Sequence, residues 1–136
     1  MEKSKEQAQE TRYTVGSTNI GEIHSDLGQN VMAHLKEIAP DMARYITEFF
    51  YGEICTRPGL DMRSREIATL ASLITQGNAP LQLRAHVYAA LNCGCTREEI
   101  VEIVLQMSVY AGVPTAMNAM FIVAEVFQDL DNNKTS

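Results

Sequence analysis

The stretch LDMRSREIATLASLITQGNAPLQLRAHVYAALNCGCTREE, residues 60–99, decides the fold. Two segments with helical apolar spacing flank the break Gln76-Gly77-Asn78-Ala79-Pro80. Asp61 can cap the first segment, Gly77 ends it, and Pro80 suits the first turn of the second, so the stretch reads as a helical hairpin. Glu66 stands ten residues before Gln76, and His86 six after Pro80. At about 1.5 Å per residue, their heights along the hairpin differ by only roughly 6 Å. Both lie on apolar stripes, with Leu70 and Leu73 beside Glu66 and Leu83 and Ala90 beside His86. Charge is costly to bury unless it is paired, so this acid and imidazole are the candidates for chemistry. The bland alternative is structural: Glu66 pairs with Arg63 or Arg65, and His86 is a satisfied core group.

The same punctuation continues on both sides. Upstream, residues 29–39 are amphipathic and stop at Pro40, because the residue before proline avoids the helical region. A second helix is expected from a cap at Asp41 to about Ile54, with Met42, Tyr45, Ile46, Phe49 and Phe50 on one side. Residues 1–27 are polar and read as an arm, partly disordered. Downstream, Gly94 fits a left-handed helix end, and Thr96-Arg97-Glu98-Glu99 is a capping box. That box opens a fifth helix to about Ala111. Gly112 breaks it, and Pro114 opens a sixth to about Asp129. No strand pattern occurs. The expected fold is all-α, with about six helices in one domain over residues 28–130 and a tail over 131–136.

Bulk composition narrows the partners. The 136 residues carry 11 Lys+Arg against 17 Asp+Glu, a net charge of -6 with no basic cluster, so nucleic acid is not an expected partner. No apolar leader precedes the helices and no run is long enough to span a bilayer, so a cytoplasmic, membrane-free protein is expected. Three cysteines, Cys55, Cys93 and Cys95, do not suggest a disulfide framework, and their spacing with the histidines does not suggest zinc. The last two helices are unusually apolar. Eight of the eleven residues 100–110 and ten of the twelve residues 116–127 are apolar. Helices apolar all round must be covered all round, and self-association is the natural remedy.

One ordered series carries a family resemblance. It runs through Leu60-Asp61-Met62-Arg63-Ser64-Arg65-Glu66, Leu70-Ala71, His86, Gly94-Cys95-Thr96-Arg97-Glu98-Glu99-Ile100, Gln106 and Tyr110-Ala111-Gly112-Val113-Pro114. The series resembles the carboxymuconolactone decarboxylase family, within the alkylhydroperoxidase D-like superfamily, over about residues 35–127. The resemblance implies an all-helical fold in a ring-like homo-oligomer, commonly a hexamer. It also implies one of two activities. One is decarboxylation of 4-carboxymuconolactone without metal or organic cofactor. The other is peroxide or disulfide reduction by a Cys-x-x-Cys pair beside a Glu and a His. Glu66 and His86 match the latter branch's Glu and His in order. The stretch before His86, residues 78–85, contains no cysteine, so that branch's thiol chemistry does not carry over.

What remains suits proton transfer on a small carboxylated substrate, with no cofactor. His86 is the expected proton carrier, because imidazole changes charge near neutral pH. Glu66 is its partner, Arg63 or Arg65 a grip for a carboxylate, and Tyr110 a hydrogen-bond donor. The expectation is a carboxy-lyase. Two alternatives stay open: a thiol-dependent peroxidase or disulfide reductase using Cys93 and Cys95, and a non-catalytic oligomeric binding protein.

Overall fold

A computed structural model describes residues 1–134. The described residues form six α-helices and one π-helical segment, without a strand: α1 Glu2–Ile38, α2 Pro40–Tyr45 running into the π-helical Ile46–Ile54, α3 Met62–Gln76, α4 Pro80–Asn92, α5 Arg97–Tyr110 and α6 Val113–Lys134. The all-α reading therefore holds. Among these residues, no helix is long and apolar enough to cross a membrane. The chain divides into two compact units, one ending at Asp61 and one beginning at Met62. That boundary falls inside the 28–130 span that the periodicity reads as one domain.

The N-terminal unit departs most from expectation. Residues 2–27 are helical rather than an irregular arm, because α1 lies along the π-helical segment. Two glycines permit that approach. A Cβ at Gly16 would stand 2.0 Å from the Thr47 carbonyl oxygen, and one at Gly52 would stand 2.3 Å from that of Arg12. Ile20, Ile23, Ala43 and Tyr51 are buried here together with His24, Thr47 and Glu48. The His24 Nε2 and Tyr51 hydroxyl share a 2.7 Å hydrogen bond, and the Asn19 amide donates to the Tyr51 carbonyl at 2.7 Å.

The cap and the facing of the second helix also differ. Its N-cap is Ala39 with Pro40 in the first turn, not Asp41. The bond from the Cys55 N–H to the Phe50 carbonyl, at 2.9 Å, spans five residues. From Ile46 on, this π-type winding departs from the 3.6-residue register. Met42, Tyr45 and Phe49, expected inside, are more than half exposed.

The C-terminal unit follows its sequence punctuation closely. Gly77, Gly94 and Gly112 take positive φ at the three interhelix breaks. The capping box forms: the Glu99 N–H donates to the Thr96 hydroxyl at 3.1 Å, and the Thr96 N–H donates to the Glu99 carboxylate at 2.9 Å. The core gathers Leu70 and Ile74 of α3, Leu83, Val87 and Ala90 of α4, Ile100, Val104 and Met107 of α5, and Ala116, Ala119, Val123 and Val126 of α6. Helix α6 runs past Asp129 to Lys134, so residues 131–134 of the expected tail are helical, and residues 135–136 lie outside the described residues. Ion pairs line the second half of α6. Arg84 reaches Glu125 and Asp129, and Arg97 takes Asp131 while stacking over Phe127.

Ser25 adopts φ 56°, ψ -151° inside α1 and kinks it. Only glycine occupies this region without strain, and other residues there cost about 1–3 kcal/mol. Glycine loses more backbone entropy on folding, up to about 1 kcal/mol. Ser25→Gly should therefore raise unfolding free energy by about 1 kcal/mol, and Ser25→Ala should give no gain. Urea titration of both variants measures this.

Candidate functional site

The site grows from the α3–α4 hairpin. Glu66 is one turn into α3 and points into the core, only 1% exposed, with Leu70 and Ile74 following on the same face. A carboxylate there needs a partner. His86 supplies it from α4, whose neighbouring positions Leu83, Val87 and Ala90 are buried. The His86 Nδ1 lies 2.8 Å from the Glu66 Oε2, with the imidazole side chain 14% exposed. A carboxylate only accepts, so Nδ1–H donates. The hairpin brings together the two residues that their matched heights single out.

A second layer lies beside the pair. Arg63, one turn before Glu66, forms an ion pair with Glu99 of the α5 capping box. The turn Cys93-Gly94-Cys95 closes against the same place. A Cβ on Gly94 would lie 3.9 Å from the Arg63 Cδ, and the Cys95 N–H donates to the Ala90 carbonyl at 2.9 Å. Cys95 is buried, and burial pushes its thiol pKa up. The charge of Arg63 opposes that shift, while Glu99 and Glu66 add to it. A thiol so placed is a poor source of thiolate at neutral pH.

The remaining expected residues are placed differently from one another. Arg65 is half-buried in the first turn of α3. Arg63 is half-exposed and already engaged by Glu99. Tyr110 is the last residue of α5 and is 74% exposed. At about 1.5 Å per residue it lies roughly 16 Å along α5 from Glu99. The structure thus brings Arg63, Glu66, His86 and Cys95 into one neighbourhood and leaves Tyr110 at the other end of α5. The link from Arg63 to Glu99 was not among the sequence expectations. The capping box announces Glu99 locally, but its second partner comes from 36 residues away.

A buried acid–imidazole pair thus joins adjacent helices of a small all-helical unit. The chain belongs to the carboxymuconolactone decarboxylase family, whose model matches residues 40–125. It is 35% identical over 125 residues to the 4-carboxymuconolactone decarboxylase of Acinetobacter baylyi, covering 89% of this chain and 90% of that one. It is 34% identical over 106 residues to the nitrosuccinic acid decarboxylase of Metarhizium robertsii, covering 78% of this chain and 73% of that one.

Two outcomes test the site's physics. Glu66→Ala leaves a buried imidazole without its carboxylate and should cost about 3 kcal/mol, whereas Glu66→Gln keeps an acceptor for Nδ1–H and should cost about 1. Chemical denaturation distinguishes them, and equal costs would contradict the pairing.

The second outcome concerns acid. The Thr96 N–H first, and then the Arg63 guanidinium, hold the Glu99 carboxyl below its usual range. A folded-state pKa below the unfolded value stabilises at pH above the unfolded value. That contribution is lost as pH falls through the folded one. Glu99→Gln should therefore be less stable than the parent near pH 7, and the difference should vanish in acid. Melting curves across that range check this.

Proposed function

We propose that this protein is a decarboxylase acting by acid–base chemistry on a small carboxylated substrate, with His86 as the proton carrier and Glu66 as its partner. The single observation that carries the reading is the 2.8 Å bond between His86 Nδ1 and the buried Glu66 carboxylate. The family membership and the two decarboxylase relatives support it. Both relatives' substrates, by their names, carry a carboxylate near an electron-accepting group, a lactone in one and a nitro group in the other. 4-Carboxymuconolactone is the first substrate to assay, and nitrosuccinate the second.

The step balances as follows. The bond between carbon and the leaving carboxylate breaks, and carbon dioxide departs. The electron pair passes into the acceptor group as an enolate-like or nitronate-like charge. The proton on His86 Nε2 is delivered to the carbon framework, and the imidazole regains a proton from water. Glu66 fixes the ring so that Nε2 faces the reactant. Arg65, beside Glu66 on α3, is the proposed grip for a substrate carboxylate. Arg63, held by Glu99, orients the first turn of α3 rather than the substrate.

The reading extends to assembly. Leu105, Val109, Val113, Met117 and Phe121 are all more than half exposed on α5 and α6, and residues 103–124 contain no charged side chain. Such a face is covered by association, so we propose a homo-oligomeric ring, with a hexamer as the expected size.

His86→Ala should lower kcat/KM by roughly a hundredfold or more, and the Cys93→Ser, Cys95→Ser double variant should keep nearly full activity. Following lactone loss together with carbon dioxide release measures both. Activity lost in the cysteine variant and kept in the histidine variant would establish the thiol reading instead.

A further inference from the structure

Two donors compete for the buried Glu66 carboxylate. His86 meets it from α4 at 2.8 Å. Arg63 stands three residues earlier on α3, and side chains at that spacing on a helix are neighbours, with Cβ atoms about 5–6 Å apart. A guanidinium is permanently charged, weakly hydrated and shaped to take a carboxylate in bidentate fashion. On local chemistry alone, Arg63 is the stronger claimant for a carboxylate as buried as Glu66.

The structure places Arg63 elsewhere. Its Nη2 donates to the Glu99 Oε1, while the Thr96 N–H donates to the Glu99 Oε2 at 2.9 Å. The capping box therefore anchors the acid that holds Arg63. Both partners of that ion pair are half-exposed, so the pairing gives up little hydration. All three charges converge on one spot. The Cys95 thiol, pushed up chiefly by burial, also feels the charges of Arg63, Glu99 and Glu66. The Arg63 stem passes Gly94, where an added Cβ would lie 3.9 Å from its Cδ. The choice of Arg63 between Glu99 and Glu66 is thus set by side-chain torsions within one neighbourhood.

We propose that Glu99 is a positioning residue that holds Arg63 away from Glu66 and so reserves the buried carboxylate for His86. With Glu99 neutral, Arg63 turns to Glu66, and the imidazole loses both its acceptor and its fixed plane. The inference rests on the reading of His86 and Glu66 as the proton-transfer pair, but its first test follows their bond and needs no substrate.

The test variant is Glu99→Gln, which removes the charge and keeps a side chain that a capping box accepts. Proton NMR on protein carrying isotopically labelled histidine follows the His86 Nδ1–H, assigned by its absence from the His86→Gln protein. The parent should show a far-downfield, slowly exchanging resonance. Glu99→Gln should lose it, and the Arg63→Met, Glu99→Gln double variant should regain it. Thr96→Ala weakens the same helix start but leaves Glu99 its charge, and it should retain the resonance. On 4-carboxymuconolactone, Glu99→Gln should lower kcat about tenfold or more with little change in KM, and the double variant should recover most of that loss. An unchanged resonance in Glu99→Gln, its loss in Thr96→Ala as well, or a double variant no better than Glu99→Gln would make the Arg63–Glu99 pair a structural tie and overturn the proposal. A parent without the resonance would overturn it too. A parent inactive on both substrates would overturn the decarboxylase reading and leave the resonance to decide the role of Glu99. If circular dichroism shows Glu99→Gln unfolded, Glu99→Asp replaces it with the same expected pattern, because its shorter carboxylate keeps the charge at the helix start and draws back from Arg63.

Discussion

A single carboxylate set into an apolar core constrains the C-terminal unit. Glu66 is as buried as Leu70 and Ile74, which follow it on α3. A charge in that position is tolerated only with a partner in hydrogen-bonding contact. The partner is an imidazole on the next helix, so α3 and α4 must pack in one register, set by the short break between Gln76 and Pro80. The same requirement gives the imidazole its orientation. Nδ1 is committed to the carboxylate, and the ring plane is fixed with it.

The second layer shows how local sequence signals become tertiary ones. The capping box at Thr96 and Glu99 ends the loop that follows α4, and the Glu99 carboxylate then takes Arg63 as well. Arg63 is thereby fixed on α3 one turn from Glu66. Cys95, at the same turn, is packed where burial favours the neutral thiol. Cys95 therefore lies in surroundings that suppress the thiolate, while the imidazole and carboxylate are held in contact.

What was legible in the sequence was what short-range physics decides. Gly77, Pro80, Gly94, Thr96 and Gly112 marked the breaks of the C-terminal unit correctly, and the matched heights of Glu66 and His86 anticipated their contact. What the residues did not declare depended on partners or on winding. The polar face of α1 reads as an arm because its order comes from Gly16 and Gly52 admitting a second helix, a fit invisible in composition. The stripe of Met42, Tyr45 and Phe49 reads as one apolar side at 3.6 residues per turn, yet all three are exposed, and from Ile46 on the segment winds as a π-helix that this spacing does not anticipate. Tyr110 reads as a pocket residue beside Gly112 and instead forms part of an exposed corner.

The central claim is that His86 delivers the proton that replaces the carboxylate, and isotope placement tests it directly. Decarboxylation of 4-carboxymuconolactone in deuterated water should put one deuterium on one face of the receiving carbon for each carbon dioxide released. The His86→Gln protein should lose that facial selectivity along with its rate. Deuterium on both faces with the parent enzyme, or undiminished selectivity in the His86→Gln protein, would contradict the account.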